Sequence, residues 1–477
     1  MKPFLLLCSV SMLAACSVVG PDFQRKPTSL TSSYAFAPTP AQQAAAQEHW
    51  WRILDDPALD ALMHEGLRSN LDIRTAQARI AESAALLRAE GGRDAQASGT
   101  LAIEVPRVVL DGSGNTIGAE RATLNGNFVF DLFGQALRRR QQATRALNAA
   151  TFEAESTRLA YQADLAGAVI DARFFQAAIR STDLRIRTRT QILALTRQLL
   201  ERGQLTRQDI VRAEADLAST QADLPSLRSG LHLSALRVAT LLDAPVGPIL
   251  ARLKATEGTR QPVPSQSQDV GVPADLLRNR PDVLAAEYRL SAAFAAIGVA
   301  EADLYPALSL NGSILLDGSE QFILGPRLSV PILGRGRLLA RRDATMAQAD
   351  QAELAWRATI RGAVSDVERA LVSMETARAE IAAFGRARDR FDELLRISRE
   401  TLEIGASTVL EILDAEQDIR QVDLNLIQAR RDLALAAAQL AVATGRGHGV
   451  RIAPGADPRP GDPVAAPIAP DVFVAAK

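Results

Sequence analysis

Cys16 is the side chain best placed for chemistry in this 477-residue sequence. It follows Leu13-Ala14-Ala15, and small residues before a Cys form a lipobox. There the thiol is acylated and becomes the new N-terminus. Lys2 supplies a positive start. Phe4 to Ala15 is an apolar stretch too short to remain as a bilayer-spanning helix. Cys8 lies in the segment 1–15 that would be removed, so the mature chain keeps one cysteine and that one is blocked. Ser17, rather than Asp, favours the outer over the inner membrane. Acyl chains contribute ~0.8 kcal/mol per buried CH₂, so several of them hold firmly.

A second set of candidates is acidic. Asp209, Asp216 and Asp223 recur every seven residues. Glu411, Asp418 and Asp432 fall on the corresponding series with Asn425 between, and Asp414 lies one turn after Glu411. Carboxylates in register on one stripe can ring a narrow passage, favour cations and repel one another. Asp209 and Glu411 also have a structural use. They are the N3 acids of capping boxes that start at Thr206 and Thr408. Solvated coiled-coil flanks are charged as a rule. Enzyme chemistry is not encoded. His49, His64, His232 and His448 lack metal-ligand spacing. No Walker loop, GxSxG or Rossmann glycine pattern appears, and Gly334-Arg335-Gly336 reads as a strand-to-helix turn. No cofactor and no metal are expected.

The elements that must carry these residues are unusual. The net charge of −1 argues against a nucleic-acid partner. No run of 18 apolar residues exists, which excludes a helical membrane protein. Few Tyr, Trp and Met against many Ala, Leu and Arg is the composition of long helices. Proline is absent from Arg107 to Leu224 and from Ile332 to Ala453, and a proline inside a helix costs ~3 kcal/mol. The gaps therefore admit helices from Gln135 to Arg202 and from Arg335 to Ile404, each reaching about 100 Å at 1.5 Å per residue.

After each capping box an apolar residue recurs every seven positions. The series are Ile210, Leu217, Leu224, Leu231, Val238 and Ile412, Ile419, Leu426, Leu433, Leu440. A strict seven-residue period means coiled-coil packing. In the second half Ala415, Val422, Ala429, Ala436 and Ala443 follow three residues later, small enough for close helix approach. Each pair of the two series is offset by the same amount, as are Gly203 and Gly405, which predicts two tandem repeats.

Between the helices the period becomes two. Leu124, Gly126, Phe128, Phe130 and Leu132 alternate with Asn125, Asn127 and Asp131. Phe322, Leu324, Leu328, Val330 and Ile332 alternate with Arg327 and Ser329. Leu308, Leu310 and Ile314 alternate with Ser309, Asn311 and Ser313. Strands are predicted at about 99–111, 121–133, 304–316 and 322–333. Strands of this length with one apolar face are the signature of a membrane β-barrel. Four cannot close a barrel, and lipid tolerates no open edge, so several copies must share one. Arg138, Arg139, Arg140, Arg335 and Arg337 follow the strands, where strand becomes helix, and read equally as contacts to lipid phosphates or as solvated helix starts.

These residues resemble the TolC/OprM-type outer membrane factors, in particular the lipid-anchored NodT-type group paired with RND efflux pumps. The resemblance rests on Val19-Gly20-Pro21-Asp22-Phe23, Trp50-Trp51, Asp56-Pro57-Ala58-Leu59 and Phe130-Asp131-Leu132-Phe133-Gly134. It rests most on Gly271-Val272-Pro273-Ala274-Asp275-Leu276-Leu277-Arg278-Asn279-Arg280-Pro281-Asp282, continuing to Tyr305-Pro306-Ala307-Leu308. It implies a homotrimer with a 12-stranded outer membrane barrel above a helical cylinder in the periplasm. It implies as partners a periplasmic adaptor, an inner-membrane RND pump and outer membrane lipid. It also implies acid rings at the positions of Glu411 and Asp414 and a gate-holding acid at Asp209. Asp216 and Asp418 are lumen candidates from their place on the acidic stripe alone. Ser407 stands where relatives carry a basic partner.

The expected fold is therefore mainly α with membrane β. The expected organisation is a signal peptide (1–15), a lipidated linker (16–48), two repeats (49–250 and 251–450) and a Pro/Ala-rich tail (451–477). The expected function is the outer membrane channel of a tripartite efflux pump, a passive gated duct for drugs or other small toxic compounds. The alternatives are a pore-less periplasmic coiled-coil scaffold and a type I secretion duct.

Overall fold

The structure, a computed structural model, describes residues 18–25, 33–36, 49–91, 96–104, 109–110, 116–117, 121–203, 205–256, 261–264, 279–316, 320–403 and 408–447. Cys16, Ser407, the 271–278 part of the motif and the tail lie outside them.

Two very long helices dominate. Helix α3 runs Gln135–Glu201 (67 residues) and α7 runs Arg335–Glu403 (69 residues). Each is followed by a 35-residue helix, α4 (Arg207–Leu241) and α8 (Val409–Ala443). Helices α1 (Pro57–Ser69) and α2 (Leu71–Gly91) precede α3, and the short α5 (Val246–Ala255) and α6 (Pro281–Ala302) lie between α4 and α7. Helix α6 is apolar and long enough to cross a membrane by composition, with a mean hydropathy of 1.4. It is instead a core helix, packed between α3 and α7.

The heptad series is answered in the packing. On α8, Ile412, Leu426, Leu433 and Leu440 are buried, as are all five small residues from Ala415 to Ala443. On α4 only Leu231 and Val238 are buried, while Ile210, Leu217 and Leu224 are half-buried. Two apolar cores meet across α8. One gathers Trp50, Trp51, Leu59, Leu165, Ile170, Val238 and Leu253. The other gathers Val283, Leu290, Trp356, Ile360, Val367 and Leu433, and it also holds Tyr34. The 16–48 linker thus contributes a core residue, because the backbone amides of Ala35 and Phe36 donate to Glu368 on α7 and hold the segment there.

Four strands form one antiparallel sheet in the order β1-β4-β5-β6: β1 (Ala97–Glu104), β4 (Arg121–Phe130), β5 (Ala307–Leu316) and β6 (Glu320–Ser329). Of the expected strand at 99–111, residues 105–108 lie outside the described residues; Ala97–Glu104 pairs with β4, and β2 (Val109–Leu110) forms a two-residue ladder with β3 (Thr116–Ile117). Strand β5 starts three residues later than expected because Leu304 and Tyr305 close a turn onto α6. Strand β6 ends at Ser329, ahead of Pro331, which has no N–H for a ladder.

The register puts Leu101, Leu124, Ile314 and Phe322 in one row across all four strands. Rows two residues on bring Gly99, Gly126, Gly312 and Leu324 together, then Phe128, Leu310 and Pro326. Alternate residues point to opposite faces, so one face is apolar apart from Glu320 at its end, and the other carries Thr100, Asn125, Asn127, Ser309, Ser313 and Arg327. Among the described residues, nothing covers the apolar face. Leu101 is 65%, Phe322 70% and Leu324 75% exposed.

Candidate functional site

The candidate site lies where the free ends of the two helical hairpins, α3–α4 and α7–α8, begin their shorter arms. The α3–α4 turn uses Gly203 at φ 71°, a left-handed conformation. Thr206 then caps α4. The Asp209 carboxylate accepts from the Thr206 backbone N–H (2.9 Å) and from its hydroxyl (2.7 Å). These bonds hold the Asp209 carboxyl below the usual range. On α8 the equivalent cap is looser, with the Glu411 amide donating to Thr408 Oγ1 at 3.3 Å. Glu411, Asp414 and Asp418 are exposed on α8. Among the described residues, Asp414 and Asp418 make no hydrogen bond or ion pair.

Asp216 is placed differently. It is half-buried and turned to α3, where the Arg189 guanidinium reaches its carboxylate at 2.7 Å. Arg189 also donates to the Asp216 carbonyl (2.9 Å) and to the Thr220 hydroxyl. One turn up α3, Arg185 donates to Ser181 Oγ (3.0 Å), to the Arg420 carbonyl (3.1 Å) and to Asp423 (3.4 Å). Arg420 of α8 reaches back to Asp223 of α4 at 3.2 Å. Asp423 is also paired with Arg388 of α7 at 2.8 Å, and Glu416 of α8 with Arg399 of α7 at 2.9 Å. Further along, Arg431 pairs with Asp171 at 2.6 Å and lies 5.4 Å above the Phe174 ring.

One belt of charge thus ties all four helices together, and it joins the first hairpin to the second. The sequence pattern does not reveal it. The Arg185/Arg189 spacing of one turn is a signal only once their partners are known, Asp216 and Thr220 on α4 for Arg189, and Arg420 and Asp423, more than two hundred residues away on α8, for Arg185.

Burial dominates the electrostatics of the belt. It pushes the Arg185 guanidinium down to about 10, against the pull of Asp423, and it lowers Arg189 as well. It raises the Asp216 and Glu416 carboxyls despite their arginine partners. Arg185 Nη1, Arg189 Nη2, Asp216 Oδ2 and Arg420 Nε are buried without a hydrogen bond. Buried charges that are only partly satisfied are costly. The belt therefore specifies which helices meet while contributing little net stability.

Arg138 departs from both readings, lipid contact and solvated helix start. Its side chain is 5% exposed and paired with Asp22. Arg139, Arg140, Arg335 and Arg337 are exposed.

Helical hairpins of about 100 Å, joined to a sheet whose apolar face is bare, define a class of protein that stands partly in water and partly in lipid. Solved structures carry the same fold. The outer membrane channel OprN superposes with a TM-score of 0.80 at 25% identity, over 90% of this chain and 99% of that one. The open state of the Neisseria gonorrhoeae MtrE outer membrane channel does so with 0.77 at 22% identity, over 90% and 98%. The fold is that of the outer membrane channels.

Sequence comparison narrows the class. A profile of the outer membrane efflux protein family matches residues 272–446. Nodulation protein T of Rhizobium leguminosarum bv. trifolii is 31% identical over 92% of this chain and 96% of its own length. The pyoverdine export outer membrane protein OpmQ of Pseudomonas putida is 28% identical over 90% and 95%. The chain belongs to the outer membrane efflux protein family, and its place is the outer membrane of a Gram-negative cell. Family and fold are those of channels, not of enzymes.

Proposed function

We propose that three copies of this chain form a passive, gated duct across the outer membrane and periplasm, the outer component of a tripartite efflux pump. The supporting observation is the bare apolar face of a sheet with two open edges, β1 and β6. Lipid accepts only closed barrels. Pairing β6 of one copy with β1 of the next, three times over, gives a 12-stranded barrel with Leu101, Phe322 and Leu324 toward lipid. The two halves, each a long helix followed by a 35-residue helix, are tandem repeats of one hairpin design. The half-buried Ile210, Leu217 and Leu224 on α4 are the seam left for a neighbouring copy.

Glu411, Asp414 and Asp418 line the periplasmic end of the duct as acid rings. Asp209 holds its cap at the gate, and Asp216, through Arg189, belongs to the belt that keeps the hairpins shut. Cys16 carries the acyl chains. An adaptor and an inner-membrane RND pump supply cargo selection and energy. Relatives are named for pyoverdine export and toluene efflux, which supports small organic compounds as the class of cargo.

Conductance in planar bilayers tests the gate. A Glu411→Ala, Asp414→Ala double variant is expected to raise closed-state conductance and weaken cation preference. Unchanged values sink the acid-ring assignment. A pore-less scaffold would leave a water-soluble fraction once the lipid is removed, whereas the channel gives heat-modifiable trimers in outer membranes.

A further inference from the structure

The residues that follow Cys16 are not a free tether. The Val19 amide donates to the Phe133 carbonyl at 3.1 Å, in the short link between β4 and α3. Arg138, in the first turn of α3, then takes hold of the next residues. Its Nε donates to the Val19 carbonyl (3.1 Å), Nη2 to the Gly20 carbonyl (2.9 Å) and Nη1 to Asp22 (2.7 Å). Among the described residues, its one side-chain hydrogen bond outside the segment is to Gln141, at 3.0 Å. A buried guanidinium with only that neutral partner would be strongly disfavoured. The site is therefore built around the segment.

Shape agrees with charge. Gly20 has φ 86°, and a Cβ there would lie 2.5 Å from Gly298 Cα on α6. A Cβ on Gly298 would lie 2.8 Å from Arg138 Cγ, Cδ and Nε, and one on Gly134 would lie 2.8 Å from Val18 Cγ1. Beyond the clamp, Phe23 packs edge-on against Phe294 at 5.6 Å, and Arg25 pairs with Glu287.

The level of this clamp in the molecule matters. Phe133 stacks on Tyr305 at 4.7 Å, just past the ends of β4 and α6. Ile332 (78% exposed) and Leu333 (93%) lie at the equivalent link after β6. The clamp thus sits at the helical rim of the apolar sheet. Covalent geometry allows at most about 7 Å between the Cα of Val18 and that of the residue two before it.

We propose that Arg138, with Gly20, Gly134 and Gly298, is the positioning device of the membrane anchor. It delivers the acylated N-terminus at the rim where the barrel meets the inner leaflet headgroups, so that lipid chains and barrel enter the bilayer at one level. The inference rests on the lipid-anchor reading of Cys16 and adds the residues that place it.

Trypsin tests it on full-length trimers in outer membranes of cells fed radiolabelled palmitate. While the clamp holds, Arg25 is kept in its pair with Glu287, so cleavage after Arg25, which strips label from the chain, is expected to be slow. Stripping is expected about tenfold faster in Arg138→Ala, because cleavage follows the opened population. Arg138→Lys is expected between wild type and Ala, since an ammonium is a point donor. Gly298→Val, which keeps the arginine but crowds it, is expected to behave like Arg138→Ala. Equal rates in wild type and Arg138→Ala trimers overturn the proposal.

Should Arg138→Ala yield no trimers, Asp22→Ala decides. Asp22 is 79% exposed, so its loss loosens the clamp without unfolding the body, and an unchanged rate again overturns the proposal. Wild type without label refutes the lipid-anchor reading and with it the anchor placement. The mass of the trimmed chain then still reports separately whether Arg138 holds the segment.

Discussion

Arg173 and Asp56 show at the scale of single residues how a buried charge becomes structural. Both side chains are 1% exposed and 2.7 Å apart. Asp56 also caps α1, accepting from the amides of Ala58 and Leu59. Arg173 on α3 donates further to Leu253 and Thr256 at the end of α5. Removing one member strands the other charge, so Arg173→Met alone is expected to cost about 3–5 kcal/mol. The double variant Arg173→Met, Asp56→Leu is expected to recover part of that loss. Thermal melts in detergent, compared as a double-mutant cycle, check both. Asp56 before Pro57 is a local helix-start pairing, but no residue near it in the sequence points to Arg173.

The charge belt makes a pH prediction at the same scale. Burial raises the Asp216 and Glu416 carboxyls, so the folded chain binds their protons more tightly than the unfolded chain does. Their contribution to stability is then largest below the ordinary carboxylate range. It falls as pH rises from that range through the raised folded values, and it stays lost above them. Asp216→Asn with Glu416→Gln is expected to flatten this fall over the interval just above the ordinary carboxylate range at about pH 4. Urea midpoints measured across that interval, steeper in the variant than in wild type, would contradict the assignment.

At the scale of elements, helix starts and helix faces follow local rules. The Thr206–Asp209 capping box is worth about 1 kcal/mol. Asp209→Ala is therefore expected to speed amide exchange in the first turn of α4 by roughly fivefold, leaving α3 unaffected. Hydrogen exchange read by mass spectrometry checks this. The small residues of α8 let it lie close to α3 and α7. Ala436, buried in the second core, has no room to grow. Ala436→Leu is expected to destabilise by about 1–3 kcal/mol through overpacking, seen as a lower melting temperature. The seven-residue period made these contacts readable because packing repeats with the helix.

At the scale of the whole molecule, the two faces of the sheet do different work. Leu324 lies on the apolar face and its neighbour Ile323 on the other, and both are exposed in one chain, at 75% and 67%. An arginine toward lipid at mid-depth costs about 2–4 kcal/mol, and a trimer carries it three times. Leu324→Arg is expected to abolish heat-modifiable trimers in outer membranes, whereas Ile323→Arg is expected to keep them and to alter conductance. Similar yields for the two variants would contradict the assignment of faces.

Much of this protein is local and therefore written in the sequence. Proline spacing admits the long helices, alternation in Leu124–Phe130 and Phe322–Leu328 marks the strands, and Thr206-x-x-Asp209 marks a helix start. Each depends on residues within a turn or two of one another. Tertiary structure decided the pairings between distant segments. It gave Asp216 to Arg189 rather than leaving it free on a stripe. It took Arg138 from the headgroups to a clamp on Val19–Asp22, and it put Tyr34 of the strap into a core. Charge and hydrogen bonding act over a few ångströms in space and are blind to distance along the chain. A pattern along the sequence can therefore say that Arg138 is basic and near a membrane, but only the fold says which carbonyls it holds.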